Sequence, residues 1–322
     1  FSPGNSRVAT VAEDGTLVAQ QKGTTIVTVT VTVDGKNTLY SERVMVTVKD
    51  PFTTNSIYLM SYKGLGGTVE IPGDRGITTI YSYAFSNYEY VPKDLTAGDV
   101  INEEDPLYSK PVYIGEDTIT KVIIPEGVTD IQSYAFAGLT ALEEVVLPST
   151  LNRIGMGAFY GCTSLKKINL EHVQFINKEA FRNTALTDIS PDAVAAIGDY
   201  AFANTKLNYL ELPASCQSLG MGAFYQNEYL TDVRIGASRI KIGSYVFAEC
   251  PLLVSVNINA AVVSSYAFFN CERLTSVTLG KDVSVIGEYA FAGTAVSAFS
   301  LSPQNTELSL GEGGSLVYKG GE

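Results

Sequence analysis

The chain of 322 residues contains no tryptophan, one histidine and four cysteines. A structural zinc site needs four Cys or His ligands at short spacings, and the four cysteines form no CxxC pair. The histidine, His172, follows a predicted strand and has no serine or cysteine at the equivalent place in a neighbouring unit. The sequence also lacks a glycine-rich phosphate loop between a strand and a helix. We therefore expect no catalytic, cofactor-binding or metal-binding residues and no enzyme activity.

Positive charge is scarce as well, because 22 Lys and Arg face 34 Asp and Glu, a net charge of −12. Nucleic acids and anionic membranes select a basic surface, so we expect neither as a partner. No apolar run approaches the 18 residues of a membrane-spanning helix, and we expect no membrane insertion. Phe1 is not followed by the charged and apolar regions of a signal peptide, so any export signal is expected outside these residues.

What the sequence does contain is a repeat. An Ala-Phe pair, replaced once by Val-Phe, returns every 21–23 residues, and an earlier copy ends at Phe85. A fixed period of 20–29 residues with one short strand per unit is typical of a leucine-rich repeat solenoid. We expect the phenylalanines to stack in a buried column, each contributing roughly 1.5–3 kcal/mol by burial. The regularly spaced members are Phe136, Phe159, Phe181, Phe202, Phe224, Phe247, Phe268 and Phe291.

One unit, residues 142–165, explains the fold class. Val145 and Leu147 alternate with outward residues, as in a strand with one buried face, and two further aliphatics, Leu151 and Ile154, precede the Ala-Phe corner. A single coil cannot enclose a core around so few apolar groups, so each coil must stack on its neighbours. The sequence predicts a curved, β-rich solenoid of short parallel strands with little regular helix.

Three segments depart from the period. Phe85 and Phe136 are 51 residues apart, which places an insertion of about 29 residues at about 87–116. We interpret it as a solvated loop, with a binding loop as the alternative. Residues 188–191 (DISP) break the strand pattern, and we expect a weak strand there. Residues 299–322 are predicted to form an irregular final coil that covers the end of the solenoid.

Residues 1–50 differ from the solenoid, which we assign to 51–322. Residues 24–33 (TTIVTVTVTV) alternate cleanly, and Asp34-Gly35 predicts a hairpin into the strand at 43–48. Two shorter strands are predicted at 8–11 and 15–18. Four strands are fewer than the roughly seven of a closed antiparallel sandwich. We therefore expect this domain to be partial and to begin upstream of Phe1, and further chain to follow Glu322.

Both parts resemble known families. Residues 6–11 (SRVATV), 14–18 (DGTLV) and 22–26 (KGTTI) resemble the second half of the bacterial immunoglobulin-like domain of group 2, which implies an extracellular spacer. The repeated Ile-Gly, Tyr-Ala-Phe and Leu-x-x-Val-x-Leu-Pro pattern over about 58–322 resembles the BspA-type, or treponemal-type, leucine-rich repeat. That resemblance implies an exported or surface-anchored protein of a host-associated bacterium, and some members are adhesins for host matrix proteins.

The cysteines are assigned to the interior. Cys162, Cys250 and Cys271 each lie three residues after a repeat phenylalanine, where other units have Thr or Asn, and Cys216 aligns with buried aliphatics. Cys250 and Cys271 are on adjacent coils, so a bridge between them is one hypothesis. We favour the other, that all are buried free thiols.

Function is therefore sought on the concave face of the curved sheet, the usual binding surface of solenoids. Two of its outward residues, Tyr209 and Arg234, are of types enriched at binding hot spots. The leading hypothesis is a secreted or cell-surface recognition protein that binds a host or microbial protein, or a glycan. The alternative is a passive scaffold or spacer within a larger surface protein. The candidate residues are Lys121, Glu144, Lys167, Asn169, Asp188, Tyr209, Glu211, Asp232, Arg234 and Asn257.

Overall fold

The structure, a computed structural model, divides into two compact units, Phe1–Thr53 with Tyr62–Gly64 and Thr54–Ser61 with Leu65–Glu322. The insertion predicted at about 87–116 and the hairpin turn predicted at 34–35 lie outside the described residues. The described residues are 2–3, 9–11, 17–19, 23–33, 37–48, 50–64, 66–86, 118–236, 240–311 and 316–318.

The N-terminal unit is antiparallel. Its two long strands, Gly23–Val33 and Asn37–Val48, pair along their whole length, and Ser2–Pro3 adds to the free edge of the first. Ala9–Val11 and Leu17–Ala19 form a separate hairpin. These strands overlap the four that the sequence predicts. The alternating threonines and valines of the first long strand suit a pleated surface. The last strand is longer than predicted and begins at Asn37.

A typical coil of the second unit has two short strands and one corner. In the coil that begins with strand Glu144–Val146, the predicted inward pair Val145 and Leu147 is buried. The chain then turns, forms a second strand at Arg153–Ile154 and reaches the buried corner at Phe159. In the described part of this unit, helix is limited to one 3₁₀ turn, Gly73–Arg75. The predicted parallel-stranded solenoid is confirmed.

The first strands of the coils form what we call the front sheet, which is parallel and in two segments. Its strands are Gly67–Glu70, Ile119–Ile123, Glu144–Val146 and Lys167–Ile168, then Tyr209–Leu212, Asp232–Ile235, Ser255–Ile258, Ser276–Leu279 and Phe299–Leu301.

The second strands form a continuous parallel back sheet, which the sequence analysis did not predict as a sheet. Most of its strands have only two residues, one outward and one inward. The strand Phe52–Asn55 precedes them in the chain. The back strands are Tyr58–Tyr62, Thr79–Ile80, Asp130–Ile131, Arg153–Ile154, Phe175–Ile176, Ala196–Ile197, Ser218–Leu219, Lys241–Ile242, Val262–Val263 and Val285–Ile286.

The phenylalanine column is confirmed. From Phe85 to Phe291, neighbouring rings stack with centroids 4.7–5.4 Å apart and interplanar angles of 1–20°. The seven rings from Phe136 to Phe268 are fully buried. Offset or parallel aromatic pairs at this distance add about 0.5–1.5 kcal/mol to the effect of burial alone. The column therefore runs through the core of the solenoid and stabilises every coil.

The corner itself needs left-handed backbone on both sides of the ring. Tyr134 (φ 55°) and Gly138 (φ 76°) flank Phe136, and the same pair of positive φ angles recurs in later coils. This conformation turns the main chain so that the Phe136 N–H donates to the Ala158 carbonyl of the next coil at 2.8 Å. A hydrogen-bonded ladder between coils thus continues through the corner.

Several residues three positions after the ring donate hydrogen bonds to main-chain carbonyls. The Cys162 thiol donates to the Phe136 carbonyl at 3.2 Å. The Asn227 amide donates to the carbonyls of Phe202 and Phe224 at 2.9 and 2.8 Å. These side chains lie in the core, where an unpaired carbonyl would be costly. They join consecutive coils from the inside.

The gap in the front sheet is the weak strand predicted around Pro191. In an earlier coil, at the equivalent position, the Ile124 N–H donates to the Val146 carbonyl of the next coil. Proline has no N–H, so this ladder bond cannot form at Pro191. The sheet accordingly stops after Lys167–Ile168 and resumes at Tyr209–Leu212.

The C-terminal coil contains one front strand, Phe299–Leu301, and an antiparallel hairpin of Leu308–Leu310 with Leu316–Tyr318. Asn305, which is 3% exposed, connects them. Its amide group donates to two carbonyls of the preceding coil at 2.9 Å, and its oxygen accepts two N–H groups of the following residues. The hairpin is thereby anchored to the last complete coil.

Candidate functional site

The front sheet holds eight of the ten candidate residues on its strands. Their side chains alternate with buried aliphatics and therefore point away from the core. Asn169 directly follows a front strand, and Asp188 lies in the coil that has none. The pairing register brings Lys121, Glu144 and Lys167 together in one segment, and Tyr209, Glu211, Asp232, Arg234 and Asn257 in the other.

In the first segment, one ion pair forms between neighbouring strands of the sheet. The Lys121 Nζ lies 2.9 Å from the Glu144 Oε1. This hydrogen bond lowers the pKa of Glu144, and the positive charges of Lys121 and Lys167 lower it further. Solvent-exposed pairs of this kind contribute little to stability. A ligand would have to break the Lys121–Glu144 pair, whereas Lys167 is exposed and forms no ion pair among the described residues.

Asn169 is engaged by the main chain. Its Oδ1 accepts a hydrogen bond from the Leu147 N–H at 2.7 Å, and its Nδ2 donates to the Leu147 carbonyl at 3.0 Å. The amide therefore takes the place that a main-chain peptide would hold if the strand Lys167–Ile168 continued. Sequence reasoning placed Asn169 among the ligand-binding candidates, whereas its observed contacts are structural.

The second segment gathers an aromatic ring and both signs of charge. The Tyr209 hydroxyl donates to Glu211, and the Arg234 guanidinium lies over the Tyr209 ring, 5.9 Å from its centroid. The bond to Glu211 is the main cause that raises the pKa of Tyr209, so the phenol stays protonated as a donor. Asp232 accepts the Ser255 hydroxyl. These contacts hold the side chains of the cluster in place. The Tyr209 side chain remains accessible, since it is 39% exposed.

A groove on the back sheet is a second feature, which sequence reasoning missed. It has a volume of about 490 Å³ and lies over the strands Ala196–Ile197 and Ser218–Leu219. Met156 and Lys178 are among its lining residues. The two small outward residues, Ala196 and Ser218, are visible in the sequence. They indicate a groove only when the back sheet shows that they are neighbours.

Candidates for chemistry are few in the described residues. No group of three or more His, Cys, Asp or Glu that could hold a metal ion occurs there. All four cysteines are free and buried, as predicted. Burial raises the pKa of the Cys216 thiol to about 11, and burial, then the hydrogen bond with Cys271, raises that of Cys250. These thiols are therefore neutral near pH 7 and poor nucleophiles.

Comparison with known proteins identifies the family. The model of the BspA type leucine rich repeat region matches six copies over residues 110–193 and 195–310, well over half of the chain. The chain belongs to the BspA-type leucine-rich repeat family. The family match covers the corners from Phe136 to Phe291 and the strands of both sheets from Ile119 to Leu301. None of the curated proteins compared with this BspA-type chain gives a significant match.

One solved structure supports the fold, and two further leucine-rich repeat structures are similar to this chain at lower TM-scores. A leucine-rich repeat protein from Bacteroides ovatus is 23% identical, with a TM-score of 0.52, over 85% of this chain and 80% of that one. The leucine-rich repeat protein of T. pallidum is 26% identical over 54% and 76%, with a TM-score of 0.40. A leucine-rich cell surface protein from Faecalibacterium prausnitzii is 21% identical over 78% and 92%, with a TM-score of 0.39. None of the helical segments in the described ranges is long and apolar enough to cross a bilayer.

Proposed function

We propose that this BspA-type protein is a non-catalytic recognition protein, secreted or attached to a bacterial surface. It binds a host or microbial protein, or a glycan, through the front sheet, which we take to be the concave face. The observation that carries this proposal is the exposed cluster of Tyr209, Glu211, Asp232 and Arg234 on adjacent strands. Membership of a repeat family whose extended faces commonly serve binding supports it.

The cluster has the composition of a protein-binding hot spot. Arginine and tyrosine are enriched there because they combine large contact area with hydrogen bonds. The Tyr209 ring and Arg234 already pack on each other, which lowers the entropy lost on binding. Glu211 and Asp232 add acceptors beside them, and Asn257 lies next to Arg234 in register. Asp188 lies in the gap of the sheet and accepts a hydrogen bond from the Thr187 hydroxyl.

The remaining candidates support a second function. Lys121 and Glu144 form an ion pair with each other, and Asn169 bonds the Leu147 main chain. Such contacts within the protein are expected for a surface that is solvated and binds no ligand. If the whole front sheet behaves in this way, the solenoid is a passive scaffold or spacer. In that case other domains of a larger surface protein carry the activity.

The domain assignment belongs to the same proposal. Residues 1–50 are proposed to be part of an immunoglobulin-like spacer, and 51–322 the recognition solenoid. The final coil, 299–322, is proposed to cover the exposed end of the sheets, since open strand edges invite unwanted pairing. Neither a nucleic acid nor an anionic membrane is proposed as a partner, because the net charge of −12 disfavours polyanions.

The test is a binding screen against purified matrix proteins and a glycan array, with wild type and the double variant Tyr209→Ala, Arg234→Ala. A matched control, Tyr229→Ala with Arg273→Ala, removes the same residue types from exposed positions outside the front strands. We expect a ligand that loses about tenfold or more in affinity with the first variant and little with the control. Binding that survives the first variant contradicts the front-sheet site. If no probe binds wild type, the scaffold function is favoured.

A further inference from the structure

The groove on the back sheet is formed by small residues in two adjacent coils. Ala196 and Ser218 are in register with each other, and their outer neighbours in the same row are Phe175 and Lys241. Phe175 is 41% exposed, so the row itself tolerates a large side chain. The depression at Ala196 and Ser218 is therefore a property of these two residues and is not imposed by the sheet.

The floor of the groove continues through Gly198 and Gly220, and here the fold does impose the small residue. A Cβ at Gly198 would lie 2.5 Å from the Lys178 main-chain nitrogen, and one at Gly220 would lie 2.4 Å from the Asp199 nitrogen. Larger residues would push the coils apart. Constrained glycines and unconstrained small residues together keep one patch of the back sheet low.

The chemistry of the lining is mostly apolar with one charge. Met156, 37% exposed, forms one wall, and its flexible thioether adapts to apolar side chains of different shape. Lys178 is the single charged residue among the described lining residues, and the Asp199 carboxylate beside Gly220 accepts a hydrogen bond from the Met221 N–H. No carboxylate among the described residues forms an ion pair with it. A partner with an apolar group next to a negative charge would complement both features.

The dimensions favour an extended segment. Four consecutive coils line the groove, from Met156 to Gly220. At a spacing of about 4.8 Å between strands, three steps give a length of roughly 14 Å, which matches about four residues of extended chain. A groove of about 490 Å³ accepts a few side chains.

We propose that this groove binds an extended segment of a partner protein, with an apolar side chain over Ala196 and Ser218 and an adjacent Asp or Glu carboxylate at Lys178. The site is on the back sheet and is independent of the front-sheet cluster. A glycan fits less well because the lining is mostly apolar, with Asn177, Lys178 and Ser218 as its polar side chains. Two sheets of one solenoid would then hold two different contacts.

The first experiment is selection of a random 12-residue peptide display library on the full chain, with Ser218→Phe as the counter-target. Phenylalanine at 218 fills the groove, and Phe175 shows that a ring is accepted in this row. The expected outcome is enrichment of peptides in which an apolar residue is next to Asp or Glu. Ala196→Leu is a second blocking variant should Ser218→Phe have a lowered melting temperature.

The second experiment measures the most enriched peptide by calorimetry. We expect Ser218→Phe to abolish binding and Lys178→Glu to weaken it by about tenfold or more. Lys206→Glu, which reverses an exposed charge outside the groove, and Tyr209→Ala with Arg234→Ala should change affinity less than about twofold. These last two variants separate failure of this proposal from failure of the front-sheet site.

Three results would overturn the proposal. One is a library with no peptide enriched on wild type over Ser218→Phe. Another is a selected peptide whose affinity does not respond to Lys178→Glu or to the blocking variants. The third is a wild-type dimer in light scattering that Ser218→Phe converts to a monomer, because the occupant would then be a second copy of this chain.

Discussion

The Asn169 side chain occupies the ladder position of a peptide group and forms two hydrogen bonds with the main chain of Leu147. These bonds lie at the edge of the first segment of the front sheet, where the strand Lys167–Ile168 ends after two residues. Pro191, which has no N–H donor, lies in the next coil. An amide has one acceptor and one donor at the spacing of a peptide group, so it can replace one. The edge of the first segment is thus satisfied from the neighbouring coil.

Asn169→Ala should therefore lower the free energy of unfolding by about 1–3 kcal/mol, because it leaves the Leu147 N–H and carbonyl without this partner. Urea denaturation followed by circular dichroism measures the change. Asn257→Ala removes the same side chain from an exposed position of a front strand and should stay within about 0.5 kcal/mol of wild type. Equal effects of the two substitutions would contradict the structural role of Asn169.

Phe202→Ala tests the buried column. Its ring stacks on the rings of Phe181 and Phe224 and is fully buried. The cavity should cost about 3–5 kcal/mol in unfolding free energy. Phe175→Ala, at a residue 41% exposed on the back sheet, is the matched control and should cost far less. Similar losses at both positions would show that the column is not the principal source of stability.

Gly222→Ala tests the corner. Gly222 has φ of +59°, and a Cβ there would lie 2.4 Å from the Tyr200 ring. Gly76 has a similar φ of +63° but open space around it, so Gly76→Ala reports the backbone cost alone, about 1–2 kcal/mol. We expect Gly222→Ala to destabilise more, by thermal melting, and Tyr200→Ala to remove the excess in a double-mutant cycle. Additive effects would show that ring and methyl do not meet.

The buried thiols predict a pH dependence. The pKa of Cys216 rises from an ordinary value of 9.0 to about 11 because the thiolate would be desolvated. A raised folded pKa means that this thiol's contribution to stability is complete below about pH 9 and is lost as pH rises through about 11. We expect no cysteine to react with a thiol reagent at pH 8 in the native protein, and four to react after denaturation. Rapid native labelling would contradict the assigned burial.

The ion pair of Glu144 with Lys121 predicts that stability falls at acid pH. The hydrogen bond from Lys121 lowers its pKa, so the pair stabilises the fold above the ordinary carboxyl pKa and this contribution is lost as pH falls through the lowered one. Carboxyl NMR titration should show the Glu144 pKa moving upward in Lys121→Ala. Lys206→Ala, which lies elsewhere, should leave it unchanged. A titration curve identical in all three proteins would rule out the pair in solution.

Much of the fold follows from the sequence because its cause is local and repeated. The spacing of Phe136 and its successors fixes the length of each coil, and the alternation at Val145 and Leu147 fixes which side chains enter the core. Pro191 marks the gap in the front sheet because a missing N–H is visible in sequence. The back sheet was less visible, since a strand of two residues has no period to detect.

The candidate site was harder to predict. The alternating pattern predicts that Glu144, Asn169 and Tyr209 point outward. It does not predict which of these side chains are already bonded to other parts of the protein. In the structure, Glu144 is paired, Asn169 bonds the main chain, and Tyr209 stays accessible beside Arg234. The type and the outward direction of a residue are set within one coil, whereas its hydrogen bonds and ion pairs depend on the neighbouring coil as well.

By itself the sequence determined the period, the buried column and the outward or inward direction of each strand residue, since all of these are set within about 22 residues of chain. The tertiary structure decided which outward groups are free, because the partner of each side chain lies one coil away and is chosen by the stacking register. Lys178 beside Gly198, and Asn169 beside Leu147, are neighbours only after stacking.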